Sequence, residues 1–312
     1  MKAVQQFMIE PLRKRSSALF FLQLAQLLND RTGGRYDPAI QRAFSKLKPK
    51  VPLPKSRFMD DSDISSCVSS LFARGWNILD WRLADADVAE LRHFAFSTPA
   101  YANSPAERVV ITEDNIPHAH CRYMWRISDL IRVPVVQRLI SDGAFARIAQ
   151  DYIGCEPLLA SVTLWLDPVF DGINAAHVYH YDNDGPTFLK FFVYLTDMYA
   201  ESGAHSFIQG SHPHRKPPQF GRAGPQAREK LIECYGPENE LIFSGPAGLI
   251  LAEDTAGFHK GTTLTKGYRL LLQLQYVAMD IPHDEEFALG IERVRMKGID
   301  PALKRIARKF FL

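Results

Sequence analysis

The chain has 312 residues, with 37 basic and 35 acidic side chains and a formal charge of +2. That length allows a sizeable core, and the near-balance of charge gives no basis for a nucleic-acid partner. The four cysteines, at 67, 121, 155 and 234, form no CxxC pair and no short repeated spacing, which argues against a disulfide framework or zinc knuckle and makes a reducing cytoplasm the expected setting.

In chain order, the stretch RKRSSALFFLQLAQLL (13–28) has the basic start and apolar middle of a secretory signal. Two glutamines interrupt it and no A-x-A site follows. No apolar run reaches the ~18 residues of a membrane span. Leu19, Leu22, Ala25 and Leu28 carry helical spacing, so residues 1–56 are expected to be a helical extension ending in the Pro-rich, basic linker KLKPKVPLPKSR (46–57). GWNILDW (75–81) predicts a short strand and ADADVAELRHFAF (84–96) a helix entered through acidic residues. A second helix is expected over 134–154, with Gly143 as a break point.

From there to about residue 280 the texture changes. LLASVTLWLD, FLKFFVYLTD, HSFIQGSHP, NELIFSGPAGLILAED and YRLLLQLQYVAMD alternate with Gly, Pro, Asn and Asp. This density predicts a mainly β domain (57–285), a sandwich or barrel of antiparallel sheets with helices packed outside. The tail (286–312) is expected to end in a helix capped by Asp300 with Pro301 in its first turn. Seven basic side chains between 293 and 309 stand beside Leu303, Ile306, Phe310 and Phe311. Such a helix either lies weakly on an anionic membrane or docks its apolar stripe on the protein.

The stretch HVYHYDNDGPTFLKFFVYLTD (177–197) sets imidazole and carboxylate groups at the entrance of a buried strand. Residues two apart on a strand share a face, about 7 Å apart, so His180 and Asp182 can reach one metal. His259 follows a strand-like run and a glycine, where it can converge on the same point. Two imidazoles and one carboxylate leave open positions suited to non-haem Fe(II), whereas structural zinc wants four closed ligands. Period-two reading puts Arg269, Leu271, Gln273 and Gln275 on one face. An arginine in a central strand needs an anion, either the far carboxylate of a small diacid or an Asp/Glu of the protein.

Taken together, HYDND…FLKFFVYLTDMYAESGAHSFIQGSHP and AEDTAGFHKGTTLTKGYR resemble the phytanoyl-CoA dioxygenase family, within the Fe(II)- and 2-oxoglutarate-dependent oxygenases, over roughly residues 70 to 280. The resemblance implies a double-stranded β-helix, a cupin-like jelly roll. It implies iron on His180, Asp182 and His259, 2-oxoglutarate held by Arg269, dioxygen as oxidant, and hydroxylation of a small organic molecule or thioester with succinate and CO₂ as co-products. Asp182 stands where halogenating relatives have a small residue, which implies hydroxylation over chlorination. The chain departs from the family in QGSH (209–212) and Gly261, neither of which touches the iron ligands.

Other candidates compete. His177, three residues before His180, is expected on the opposite face, in a structural or substrate-lining role. His205 and His212 are expected to brace a turn, and His214 to lie on a surface loop. Lys190 either reaches the co-substrate or snorkels to solvent. Asp184 rivals Asp182 as a ligand but adjoins a Gly-Pro turn, and Asp197 is expected to cap a turn. Ser161, Thr163, Trp165 and Asp167 share a face that either lines a pocket or packs in the core. The loop 107–130, rich in His, Arg, Tyr, Trp and Met, is the expected seat of substrate selectivity. The rival to an oxygenase is a non-catalytic jelly-roll module binding a metal or small acid.

Overall fold

The computed structural model of the chain describes residues 37–102, 108–172, 175–185, 187–212, 224–279 and 292–312, together with Leu24 and Leu27. Most of the N-terminal extension read from the sequence, and His214, lie outside these residues. Two antiparallel sheets form the architecture. The larger has eight strands in the order β1 (Trp76–Ile78), β9 (Ile250–Glu253), β6 (Phe188–Tyr194), β11 (Tyr268–Val277), β5 (Leu158–Pro168), β4 (Tyr123–Met124), β2 (Ala100–Tyr101), β3 (Arg108–Val109). The smaller has β10 (His259–Gly261), β7 (His205–Ile208) and β8 (Glu240–Phe243). Helices flank the large sheet, giving a mainly β protein of the jelly-roll, cupin-like kind.

The strands at the centre of the large sheet are buried on both faces, which explains their composition. In β6 all seven residues are buried. Leu189, Phe191 and Val193 point outward into the main core, and Phe192 and Tyr194 point inward to a second cluster with Phe207, Leu251 and Leu271. The outer face of β11 follows the same rule through Leu270, Leu272 and Leu274. The outward positions are therefore uniformly apolar, whereas the inward ones, toward the space between the sheets, mix apolar residues with Lys190, Arg269, Gln273 and Gln275.

The helices over the outer face are α1 (Asp37–Leu47), α2 (Asp61–Arg74), α3 (Asp85–Ser97), α4 (Ile127–Leu130), α5 (Pro134–Ser141), α6 (Gly143–Ile153), α7 (Arg228–Tyr235) and α8 (Pro301–Ile306), of which α7 instead packs near the small sheet. The helix expected over 134–154 is two helices. Asp142, between them, is extended (φ −86°, ψ 147°) and accepts from the Ala144 amide as N-cap of α6. Phe145 on α6 meets Phe191 at 4.6 Å between ring centroids and fastens the helix layer to β6.

The Pro-rich segment is fastened to this layer. The Val51 amide donates to Gln150 Oε1 and Gln150 Nε2 returns a bond to the Val51 carbonyl, both at 2.9 Å. Gln41 on α1 donates to the carbonyls of Tyr152 and Ile153 at the end of α6. In the tail, Asp300 caps α8 by accepting from Ala302 and Leu303. Leu303, Ile306, Phe310 and Phe311 are buried in the main core, so the apolar stripe docks on the protein. No helix among the described residues is long and apolar enough to cross a membrane.

Because Phe145 is the ring through which α6 grips the sheet, Phe145→Ala is expected to lower unfolding stability by about 4 kcal/mol. Urea denaturation checks this. A loss under about 1 kcal/mol would show that the helix layer is held elsewhere.

Candidate active site

The segment leading into β6 and strand β10 make the centre together. His180 and His259 exchange backbone hydrogen bonds across an antiparallel bridge, and the Asp182 amide donates to the Thr255 carbonyl at 2.8 Å. The extended chain thus presents His180 and Asp182 on one side, facing His259. Their ligand atoms all lie within 4.8 Å of one another. His180 Nε2 is 3.7 Å from Asp182 Oδ1, and His259 Nε2 is 3.6 Å from Asp182 Oδ2.

The imidazole tautomers follow from the backbone. His180 Nδ1 is 2.8 Å from the Val178 carbonyl, and His259 Nδ1 is 3.0 Å from the Gly257 carbonyl. A carbonyl only accepts, so each Nδ1 carries a proton, and each Nε2 is the atom turned toward Asp182. Burial, more than any charge, pushes the His259 imidazolium down to about 4, so the ring is neutral at pH 7. Burial alone would raise the Asp182 carboxyl, but the Lys190 ammonium, then His259 and His180, outweigh it and hold it well below the usual carboxylate range. Two imidazole nitrogens and one carboxylate oxygen on one side of a point suit a divalent first-row metal with positions left open.

Lys190 neither snorkels nor stands free. Its ammonium is buried and donates to Asp182 at 2.6 Å and to Asp184 at 2.8 Å. Asp184 also accepts from Gln275 Nε2 at 2.8 Å, and it is not one of the three grouped ligands. His205 opens strand β7 instead of lying in a turn. Its Nδ1 is 2.7 Å from Glu253 Oε2, and its ring lies 5.5 Å from that of His259. Burial pushes the Glu253 carboxyl up to about 8. His212 braces the loop as expected, with Nε2 3.2 Å from the Phe72 carbonyl. Asp197 accepts from the Ala247 amide. His177, in a short 3-10 turn (Ala175–His177), is pushed down to about 4, by burial first and then by the Arg269 guanidinium.

Arg269 lies across the cavity from the three ligands. Its Nε and Nη2 donate to Asp167 Oδ2 and its Nη1 to the Gly203 carbonyl at 2.8 Å. Arg122 closes on the same carboxylate through Nε (2.7 Å) and Nη2 (2.9 Å), and its guanidinium lies 4.4 Å from the Trp165 ring. Of the two partners left open for Arg269 by the sequence, an internal carboxylate is therefore present. Guanidinium has five N–H donors, and the three hydrogen bonds made here leave two. Gly261 leaves room beside them, since a Cβ on it would fall 2.3 Å from Nη1.

The cavity between these two ends has a volume of about 380 Å³. Ser161, Thr163, Trp165, Gln273 and Gln275 line it, so the shared face of β5 read from the sequence is a cavity wall. Arg122 and Glu253 were not singled out by sequence reasoning. Glu253 had a signal, a carboxylate at an inward position of ILAED. Arg122 lies in the 107–130 loop, but nothing local marks it among the loop's basic residues.

No protein-family model matches the chain, and no curated protein sequence matches it. Among solved structures, EctD from S. alaskensis in its apoform aligns at a TM-score of 0.51 and 19% identity, over 79% of this chain and 88% of that one. EctD with 2-oxoglutarate and 5-hydroxyectoine aligns at 0.50 and 20%, over 78% and 89%. This likeness establishes the jelly-roll fold.

Two outcomes test the site. Between pH 4.5, the ordinary value, and about 8, native Glu253 keeps a proton that the unfolded chain has lost, so stability falls as pH rises through that window. Glu253→Gln has no such proton to lose, and its apo-form Tm is expected to gain on wild type from pH 5 to pH 8. A constant difference would show that Glu253 is ionised in the fold. Gly261→Ala is expected to displace the Arg269 guanidinium and weaken diacid binding on the order of tenfold, with metal affinity retained in a calorimetric titration.

Proposed function

We propose that this protein is a non-haem Fe(II)- and 2-oxoglutarate-dependent dioxygenase that hydroxylates an unactivated C–H bond of a small organic molecule, related to the phytanoyl-CoA dioxygenase family. The observation that carries this reading is the opposite sign of the two ends of one cavity. At the ligand end, Asp182 and Asp184 face one ammonium, Lys190, which leaves an excess negative charge that a cation satisfies. At the far end, two guanidiniums share one carboxylate, Asp167, which leaves an excess positive charge that an anion satisfies. Buried charge is costly unless it is balanced. A dicarboxylate spanning the cavity, with its oxo-acid end on a divalent metal and its other carboxylate on Arg269, balances each end separately. The fold is also that of EctD, a protein seen with 2-oxoglutarate and 5-hydroxyectoine.

His180, Asp182 and His259 would hold the iron, which when bound supplies the redox chemistry that turns 2-oxoglutarate and O₂ into succinate, CO₂ and an oxidised product. The protein's own residues do the positioning. The carbonyls of Val178 and Gly257 aim the two imidazoles. Lys190 keeps Asp182 ionised and fixes its carboxylate where it would hold the metal, and we assign it this role at the ligand end of the site. Asp167 fixes the Arg269 fork, while Gly203 and Gly261 leave space for it. Phe192 and Trp165 give the cavity apolar surface on the large-sheet side.

Purified protein given Fe(II), 2-oxoglutarate and air is expected to form succinate, with CO₂ in equal amount. Arg269→Leu should raise the 2-oxoglutarate KM by about 10²-fold, as for loss of a charge-assisted pair, with iron binding largely kept. Equal loss of iron and 2-oxoglutarate affinity would show instead that the arginine serves only Asp167.

A further inference from the structure

Between its charged ends the cavity has a wall of neutral hydrogen-bonding groups. Ser161, Thr163 and Trp165 point inward from β5, and Gln273 points inward from β11, paired in register with Thr163. Thr163 Oγ1 and Trp165 Nε1 are buried and have no hydrogen-bond partner among the described residues. The Ser161 hydroxyl and the Gln273 amide, on residues 6% and 7% exposed, likewise make no hydrogen bond to another described group. Nearly all buried polar groups in folded proteins are paired, because an unpaired one carries its full desolvation penalty. Two such buried groups, Thr163 Oγ1 and Trp165 Nε1, with the Ser161 hydroxyl and the Gln273 amide open to the same cavity beside them, are a surface shaped for a ligand.

The ligand's chemistry follows from what the other groups already take. If the oxygenase reading is right, the metal and Arg269 engage the two ends of 2-oxoglutarate. The chain between those ends carries only methylenes, which satisfy no hydroxyl, amide or indole N–H. Charge points the same way. Arg122, Arg269 and Lys190 balance Asp167, Asp182 and Asp184. A divalent metal balances a dicarboxylate, and the His205–Glu253 pair is neutral whichever partner holds the proton. A substrate with net charge would bring an uncompensated charge into this space. An acyl chain would strand the four polar groups in a dry contact.

We propose that the β5–β11 wall is the prime-substrate subsite and that it takes a neutral, polyhydroxylated small molecule of the sugar, cyclitol or alditol class. Hydroxyl groups both donate and accept, as this mixed wall requires. Thr163 and Gln273 set the specificity.

The test separates binding from turnover. Protein loaded anaerobically with Fe(II) and 2-oxoglutarate is screened by thermal shift against hexoses, disaccharides, cyclitols and alditols. Uronic acids and fatty acyl-CoA thioesters form the comparison sets, and succinate release is then measured in air. The neutral set is expected to supply the stabilising compounds, and Thr163→Val and Gln273→Leu are each expected to weaken the best of them about fivefold. Stabilisation by acyl thioesters or uronic acids instead, no stabilisation by the neutral set, or undiminished binding in both variants overturns the assignment. Neutral compounds that bind the wall but leave succinate formation at zero would sink the oxygenase reading and keep the subsite.

Discussion

Two opposite imbalances of buried charge, set at the two ends of one cavity, organise this protein. Asp167 is completely buried, and burial alone would raise its carboxyl, but Arg122 and then Arg269 overrule that and hold it well below the usual range. At the other end the roles reverse, with one ammonium serving two carboxylates. Neither group would persist in a fluid core. Each needs strands that fix its donors within hydrogen-bond reach, and those strands are rigid because helices cover their outer face. The outer layer thus bears on the chemistry indirectly. It lets β5, β6 and β11 spend their inward positions on polar groups.

The same division explains how much could be read from the sequence. Strands β5, β6 and β11 were legible as strands because their outward positions are uniformly branched or aromatic, and their inward polar residues stood out at period two. Gly143 marked the break between α5 and α6, although the structure assigns the capping work to Asp142. The pairing of His180 with Asp182 was legible from spacing, and His259 from its place after a strand and a glycine.

What was not legible depends on contacts far apart in the chain. Asp167 and Arg269 are 102 residues apart, and Arg122 and Asp167 are 45 apart. No local pattern announces that three such residues meet, so the internal anion for Arg269 stayed an open alternative. His205 was misplaced for a related reason. Its neighbours QGSH carry turn chemistry, but the residue itself opens a strand whose pairing with β10 and β8 is set by tertiary register. Lys190 was ambiguous because its carboxylate partners lie just upstream, in a stretch that reads as a turn.

The central claim is that the negative end takes a divalent metal and the positive end the far carboxylate of 2-oxoglutarate, so that one diacid joins them. Visible absorption under anaerobic conditions tests it most directly. Titrating 2-oxoglutarate into Fe(II)-loaded protein should produce a weak charge-transfer band that needs both components and saturates at one 2-oxoglutarate per chain. A folded, iron-loaded protein that shows no band at saturating 2-oxoglutarate would contradict the account.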